Sequence, residues 1–93
     1  VAVPDSAVAR LAAAVRIPTV STSDFAQTDT AQFGRFGAFL RQAFPRVQQA
    51  LTCQKFNTYG LLYEWKGRNP ALPPLLLLAH YDVVPMQPGS AAQ

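Results

Sequence analysis

Five consecutive apolar residues, Leu75 to Ala79, follow the pair Pro73-Pro74 and run without alternation into His80, Tyr81 and Asp82. A short run that is apolar at every position has no wet face, so it fits a strand covered on both sides, as in the interior of a sheet flanked by helices. Sheets of that kind gather their ligands beyond the carboxyl ends of the strands, and His80 falls there. The expected fold class is therefore α/β, with the run from Leu75 to Ala79 as a buried strand.

The rest of the chain supplies two helices and a hairpin to pack against that strand. Asp5 and Ser6 are capping residues ahead of "AVARLAAAVR", and Pro18 stops the pattern, which predicts a helix over 6–16. Val8, Leu11, Ala12 and Val15 fall at i, i+3, i+4 and i+7 and form one apolar stripe. "TVSTSDFAQTDT" is rich in turn residues and reads as a loop. A second helix, capped by Asp29 or Thr30, carries Phe33, Phe36, Leu40 and Phe44 on one face and ends at Pro45. Gly34 and Gly37 lie inside it at a cost of roughly 1 kcal/mol each relative to alanine, which suggests close packing or a bend. From Val47 the period shifts towards two, "FNTYG" marks a turn, and "LLYEWK" places Leu61, Tyr63 and Trp65 on one face, so a hairpin is expected. "GRNPALPP" then separates the hairpin from the leucine strand.

Composition narrows the function. The chain has 93 residues, which allows one small domain at most, and 14% charged residues is sparse for a fully solvated monomer. The formal charge of +3 comes from basic residues scattered between Arg10 and Arg68, without the concentrated stripe of a nucleic-acid module. No stretch is long enough to serve as a membrane span. Cys53 is the sole cysteine, which excludes an internal disulfide and a multi-cysteine zinc site. In a strand-like stretch it is expected to be a small buried hydrophobe. The chain opens on Val1 and closes on "MQPGSAAQ", which reads as a piece of a longer protein.

The chemistry lies in the only histidine. In an extended strand, residues i and i+2 share a face, so His80 and Asp82 would present imidazole and carboxylate side by side. A histidine that ligates a metal is commonly oriented through its other ring N–H by such a carboxylate, which also raises the basicity of the ring. The plainer alternative is a hydrogen-bonded pair at a strand end with no catalytic duty, because two residues complete neither a zinc site nor a triad. A serine-nucleophile arrangement is less well supported, since no G-x-S-x-G elbow occurs. Tyr81 faces the other way and is expected to pack.

"LLLLAHYDVVP" resembles the signature strand of the di-zinc metallopeptidase and amidohydrolase family that contains aminoacylase-1, carboxypeptidase S and the N-fatty-acyl-amino acid hydrolases. The likeness extends through Asn57, Tyr59, Gly60, Trp65, Gly67, Pro70 and Pro74, a pattern similar to the carboxypeptidase S branch, and back to "VRIPTVS". The resemblance implies that residues 1–93 are the N-terminal portion of one mixed-sheet α/β/α zinc-hydrolase catalytic domain, with a smaller lid or dimerisation domain inserted later and a homodimer as a possible assembly. It implies two zinc ions as cofactors and a small-molecule N-acyl amino acid or peptide substrate. By the same resemblance His80 is a metal ligand, and Asp82 is the catalytic-site carboxylate that holds and polarises its imidazole. The family's remaining ligands fall beyond this chain, and Asp5, Asp24, Asp29 and Glu64 lie in no matching motif. These residues alone are thus expected to be inactive, and a non-catalytic structural or oligomerising piece is the alternative reading.

Overall fold

A computed structural model of the chain describes residues 1–85. Helix α1 (Asp5–Val15) begins after Pro4, whose φ of −70° and ψ of 152° set the extended entry, and Asp5 places a carboxylate in the positive first turn. The bounds match the expected helix to one residue at each end. Its orientation does not match: Val8, Leu11 and Val15 are 60%, 67% and 74% exposed, and the half-buried side is Ala12 to Ala14. The helix meets the end of the second helix where the Arg10 guanidinium lies 5.5 Å from the centre of the Phe44 ring.

The segment after α1 is a loop, as expected, with a single 3-10 turn (Phe25–Gln27) closed by the Asp24 carboxylate, which accepts from the Ala26 N–H at 3.1 Å. Helix α2 (Thr30–Ala43) follows, and a short helix α3 (Pro45–Ala50) comes directly after it. Pro45 explains both events. It has no N–H to continue α2, and its fixed φ suits the first position of a new helix. Residues 47–50, expected to be extended, are therefore helical, and the period-two pattern begins only at Thr52.

Strands β1 (Thr52–Phe56) and β2 (Gly60–Glu64) form the expected hairpin, antiparallel, with Phe56 opposite Gly60 and Thr52 opposite Glu64. The turn between them holds Asn57 at φ 50° and Thr58 at φ 74°. A β-branched residue there is strained, whereas Asn tolerates it. Gly60 closes the turn where a Cβ would lie 2.8 Å from the Phe56 carbonyl oxygen. On β2, Leu61 and Tyr63 are half-buried and Leu62 is turned outwards, which matches the expected face; Trp65 lies past the strand and is 79% exposed. Cys53, expected to be buried, is exposed, because no layer among the described residues covers that side of β1.

The mixed α/β class holds, but the leucine run does not form a strand. Among the described residues the sheet has two strands, and Leu75 to Leu78 are 66–87% exposed. An interior strand takes its geometry from hydrogen-bonded neighbours and covering helices, and none of the elements above lies along this run. The backbone radius of gyration, 16.2 Å, exceeds the roughly 12 Å of a compact domain of this length. The buried positions are few: Ile17, Thr19 and Gly37 among the described residues.

The two α2 glycines differ from the expectation of close packing. A Cβ at Gly34 meets nothing within 4 Å, and one at Gly37 meets only the flexible end of Arg41 at 3.6 Å. Gly34→Ala should therefore stabilise α2 by about 1 kcal/mol through reduced backbone entropy. Thermal unfolding should show a rise of several degrees in Tm; a fall would mean that Gly34 packs against something outside these contacts.

Candidate functional site

The segment His80-Tyr81-Asp82 is tied to other parts of the chain, although the leucines before it are exposed. Thr19, 2% exposed, donates its hydroxyl to the Tyr81 carbonyl at 2.6 Å, and its own carbonyl accepts from the Val83 N–H at 2.8 Å. The Ser21 N–H then donates to the Val83 carbonyl at 3.0 Å, which completes a parallel bridge between Val20 and Val83. On the other side the Tyr81 ring stacks on Phe36, with centroids 4.9 Å apart and planes at 18°, and meets Phe33 edge-on at 5.5 Å. Its hydroxyl donates to the Tyr59 carbonyl at 2.6 Å. Burial, with smaller contributions from Tyr59 and Asp82, raises the Tyr81 pKa above its usual 10, so the phenol remains a donor at neutral and mildly alkaline pH.

With Tyr81 packed inwards, its two neighbours face out together. His80 Nδ1 lies 3.0 Å from the Asp82 Oδ1 and also 3.0 Å from the Asp82 carbonyl oxygen. Both partners are acceptors, so the ring proton of a neutral imidazole sits on Nδ1 and the lone pair falls on Nε2. The His80 side chain is 87% exposed and that of Asp82 45%. The pair thus offers one oriented nitrogen donor to a metal or a proton. Among the described residues no three His, Cys, Asp or Glu side chains converge as a metal-binding group. The arrangement fits one position of a coordination shell, and a closed site needs ligands beyond it.

Beside the pair runs an open cleft of about 420 Å³. Phe25, Phe33, Tyr59 and Leu61 supply its apolar wall, and Ser21 and Thr22 stand on the polar side near His80 and Asp82. Phe33 and Tyr59 are 5.4 Å apart and Phe25 and Tyr59 6.2 Å, so the wall is continuous with the aromatic cluster under Tyr81.

The structure brings together the two residues singled out from the sequence, in the side-by-side arrangement expected of an extended H-x-D. Tyr81 packs as expected. Sequence reasoning missed Thr19, which lies in a loop 62 positions from its hydrogen-bond partner, and missed Tyr59 as an acceptor, since it offers a backbone carbonyl. The signal for Thr19 was its place directly after "IP", where the loop starts.

Comparisons with known proteins agree on one group. The chain is 38% identical over 91 residues to carboxypeptidase S of Saccharomyces cerevisiae, covering 88% of this chain and 15% of that protein. It is 42% identical over 69 residues to the probable carboxypeptidase S-like 1 protein of Dictyostelium discoideum, covering 73% of this chain and 14% of the relative. To the N-fatty-acyl-amino acid synthase/hydrolase PM20D1 of Mus musculus it is 39% identical over 77 residues, covering 81% and 15%. The chain accordingly spans about 15% of the length of these relatives. No family model matches the chain, and no solved structure matches it.

Proposed function

We propose, from the premise that this chain is homologous to members of the M20 peptidase family on its carboxypeptidase S side, that it contributes one metal ligand and its orienting carboxylate to a zinc-dependent amidohydrolase. The substrate class is an N-acyl amino acid or a short peptide, and residues 1–93 are part of one catalytic domain. The observation that carries this reading is the 3.0 Å contact between His80 Nδ1 and Asp82 Oδ1, which fixes the tautomer and points the Nε2 lone pair outwards.

Within that reading His80 would hold one of two zinc ions through Nε2, and Asp82 would keep the proton on Nδ1. Bound zinc supplies Lewis-acid polarisation of the amide carbonyl and a water made nucleophilic at neutral pH. The chain's own contribution is orientation: Tyr81 anchors the pair to α2, and Phe25, Phe33 and Leu61 give the open cleft an apolar wall. Asp82→Asn in the complete enzyme should retain most of the metal and lower turnover by 10- to 100-fold, the usual scale for a carboxylate that orients a ligand. Unchanged turnover would place Asp82 outside the site. The 93-residue chain alone, with one histidine and one cysteine, should hydrolyse no N-acyl amino acid in a zinc-dependent assay. Measurable hydrolysis would overturn the division of ligands.

A second reading is favoured by one observation, the exposed Leu75 to Leu78. A chain that ends its function with this surface would be a structural piece that associates through the leucines. Light scattering decides: association of the 93-residue chain that disappears when Leu76 and Leu78 become serine supports it, and a clean monomer removes it.

A further inference from the structure

We propose that Thr19 is the positioning residue of the His80-Asp82 pair, acting through the Tyr81 carbonyl. The inference adds to the hydrolase reading for its meaning in turnover, but the geometry it rests on stands without any metal.

Thr19 is the most deeply buried polar side chain among the described residues, at 2% exposure, and it is fully engaged. Its hydroxyl donates to the Tyr81 carbonyl at 2.6 Å, a short bond for two neutral groups. That carbonyl belongs to the peptide plane joining Tyr81 to Asp82, so pinning the oxygen fixes the rotation of the plane and with it where the Asp82 backbone starts. The Thr19 carbonyl holds the next peptide, accepting from Val83 N–H at 2.8 Å. Asp82 is therefore fastened on both sides by one residue. The imidazole follows, because both atoms that meet Nδ1, the Asp82 carbonyl oxygen and Oδ1, belong to the residue so fastened. The Tyr81 ring stacked on Phe36 stops the segment from rolling, but a ring stack leaves the peptide plane free to tilt.

Thr19→Val tests the hydroxyl with little change of shape: it keeps the β-branch and the backbone bond to Val83 and removes the donor. Thr19→Ser keeps the donor and trims a methyl group. In the 93-residue chain the single histidine gives unambiguous ring signals, so its long-range ¹⁵N–¹H correlations at a pH where the ring is neutral report the tautomer directly. The wild-type chain should show the Nδ1–H form alone, Thr19→Ser should retain it, and Thr19→Val should give averaged nitrogen shifts of two exchanging tautomers with the β1–β2 amide shifts unchanged. A mixed tautomer in the wild type, no change in Thr19→Val, or loss of the hairpin shifts together with the ring signature would each overturn the proposal. The last result would make Thr19 a general support of the fold. Because neither zinc nor turnover enters the measurement, failure of the hydrolase reading would leave this result intact, and failure of the Thr19 inference would leave the hydrolase reading to its own tests.

Discussion

On the proposed hydrolase reading, His80→Ala in the full-length protein is expected to lower bound zinc and turnover together, by more than the 10- to 100-fold that follows loss of an orienting carboxylate. The reason is geometric. A zinc shell of four positions that loses a nitrogen donor must recruit water there, and water neither fixes the angle of the remaining ligands nor donates charge as imidazole does. His80 is 87% exposed in this chain, so its removal leaves no cavity and should cost the fold little. Metal analysis after dialysis, beside a steady-state assay, separates the outcomes. Zinc content equal to that of the wild type would remove His80 from the ligand set, and lost zinc with an unchanged melting temperature would place it there.

Phe36→Ala should have the largest effect on stability. Phe36 stacks on Tyr81 at 4.9 Å and meets Phe39 at 5.9 Å, so it joins the helix that carries it to the segment that carries the site. Phenylalanine-to-alanine changes in packed cores cost 3–5 kcal/mol; a half-buried ring such as this one should cost about 2 kcal/mol. Against the roughly 5 kcal/mol at the low end of the range for native domains, that is a large share. Chemical denaturation should show a lower midpoint with little change in slope. A double-mutant cycle with Tyr81→Ala should give a coupling near 1 kcal/mol for the stacked pair. A loss below about 0.5 kcal/mol for Phe36→Ala, the scale of a surface change, would mean that the aromatic cluster does not support the site.

The elements legible in the sequence were those whose signals are local. The helix from Asp5, the face carrying Phe33 and Phe36, and the turn after Phe56 each rest on residues a few positions apart, and each is present. The pair His80-Asp82 was legible for the same reason, because the period of an extended backbone brings residues two apart together. What could not be read depends on partners. The leucine run has the composition of an interior strand, yet composition states only what a segment would bury, and no neighbour among the described residues covers it. The stripe of Val8, Leu11 and Val15 is a parallel case: it has the spacing of a buried face, yet all three side chains are exposed and no neighbour among the described residues covers them. Residues 47–50 show a different difficulty, for Pro45 carries two meanings, a stop for one helix and a start for the next.

The bond between Thr19 and Tyr81 also sets an order of events as the chain folds. Its two ends are 62 residues apart, and closing such a loop costs about 4 kcal/mol of chain entropy by the (3/2)RT ln n rule, before any contact repays it. The β1–β2 pair closes across a three-residue turn, and the helices form within their own segments. Contacts of short range form first and those of long range last. The imidazole and its carboxylate are two residues apart in sequence throughout, but their held orientation arrives only when the loop after α1 meets the segment after the leucines. The pairing geometry of His80 and Asp82 thus depends on a contact of long range, and a chain in which only the local elements have formed holds both residues without yet holding their arrangement.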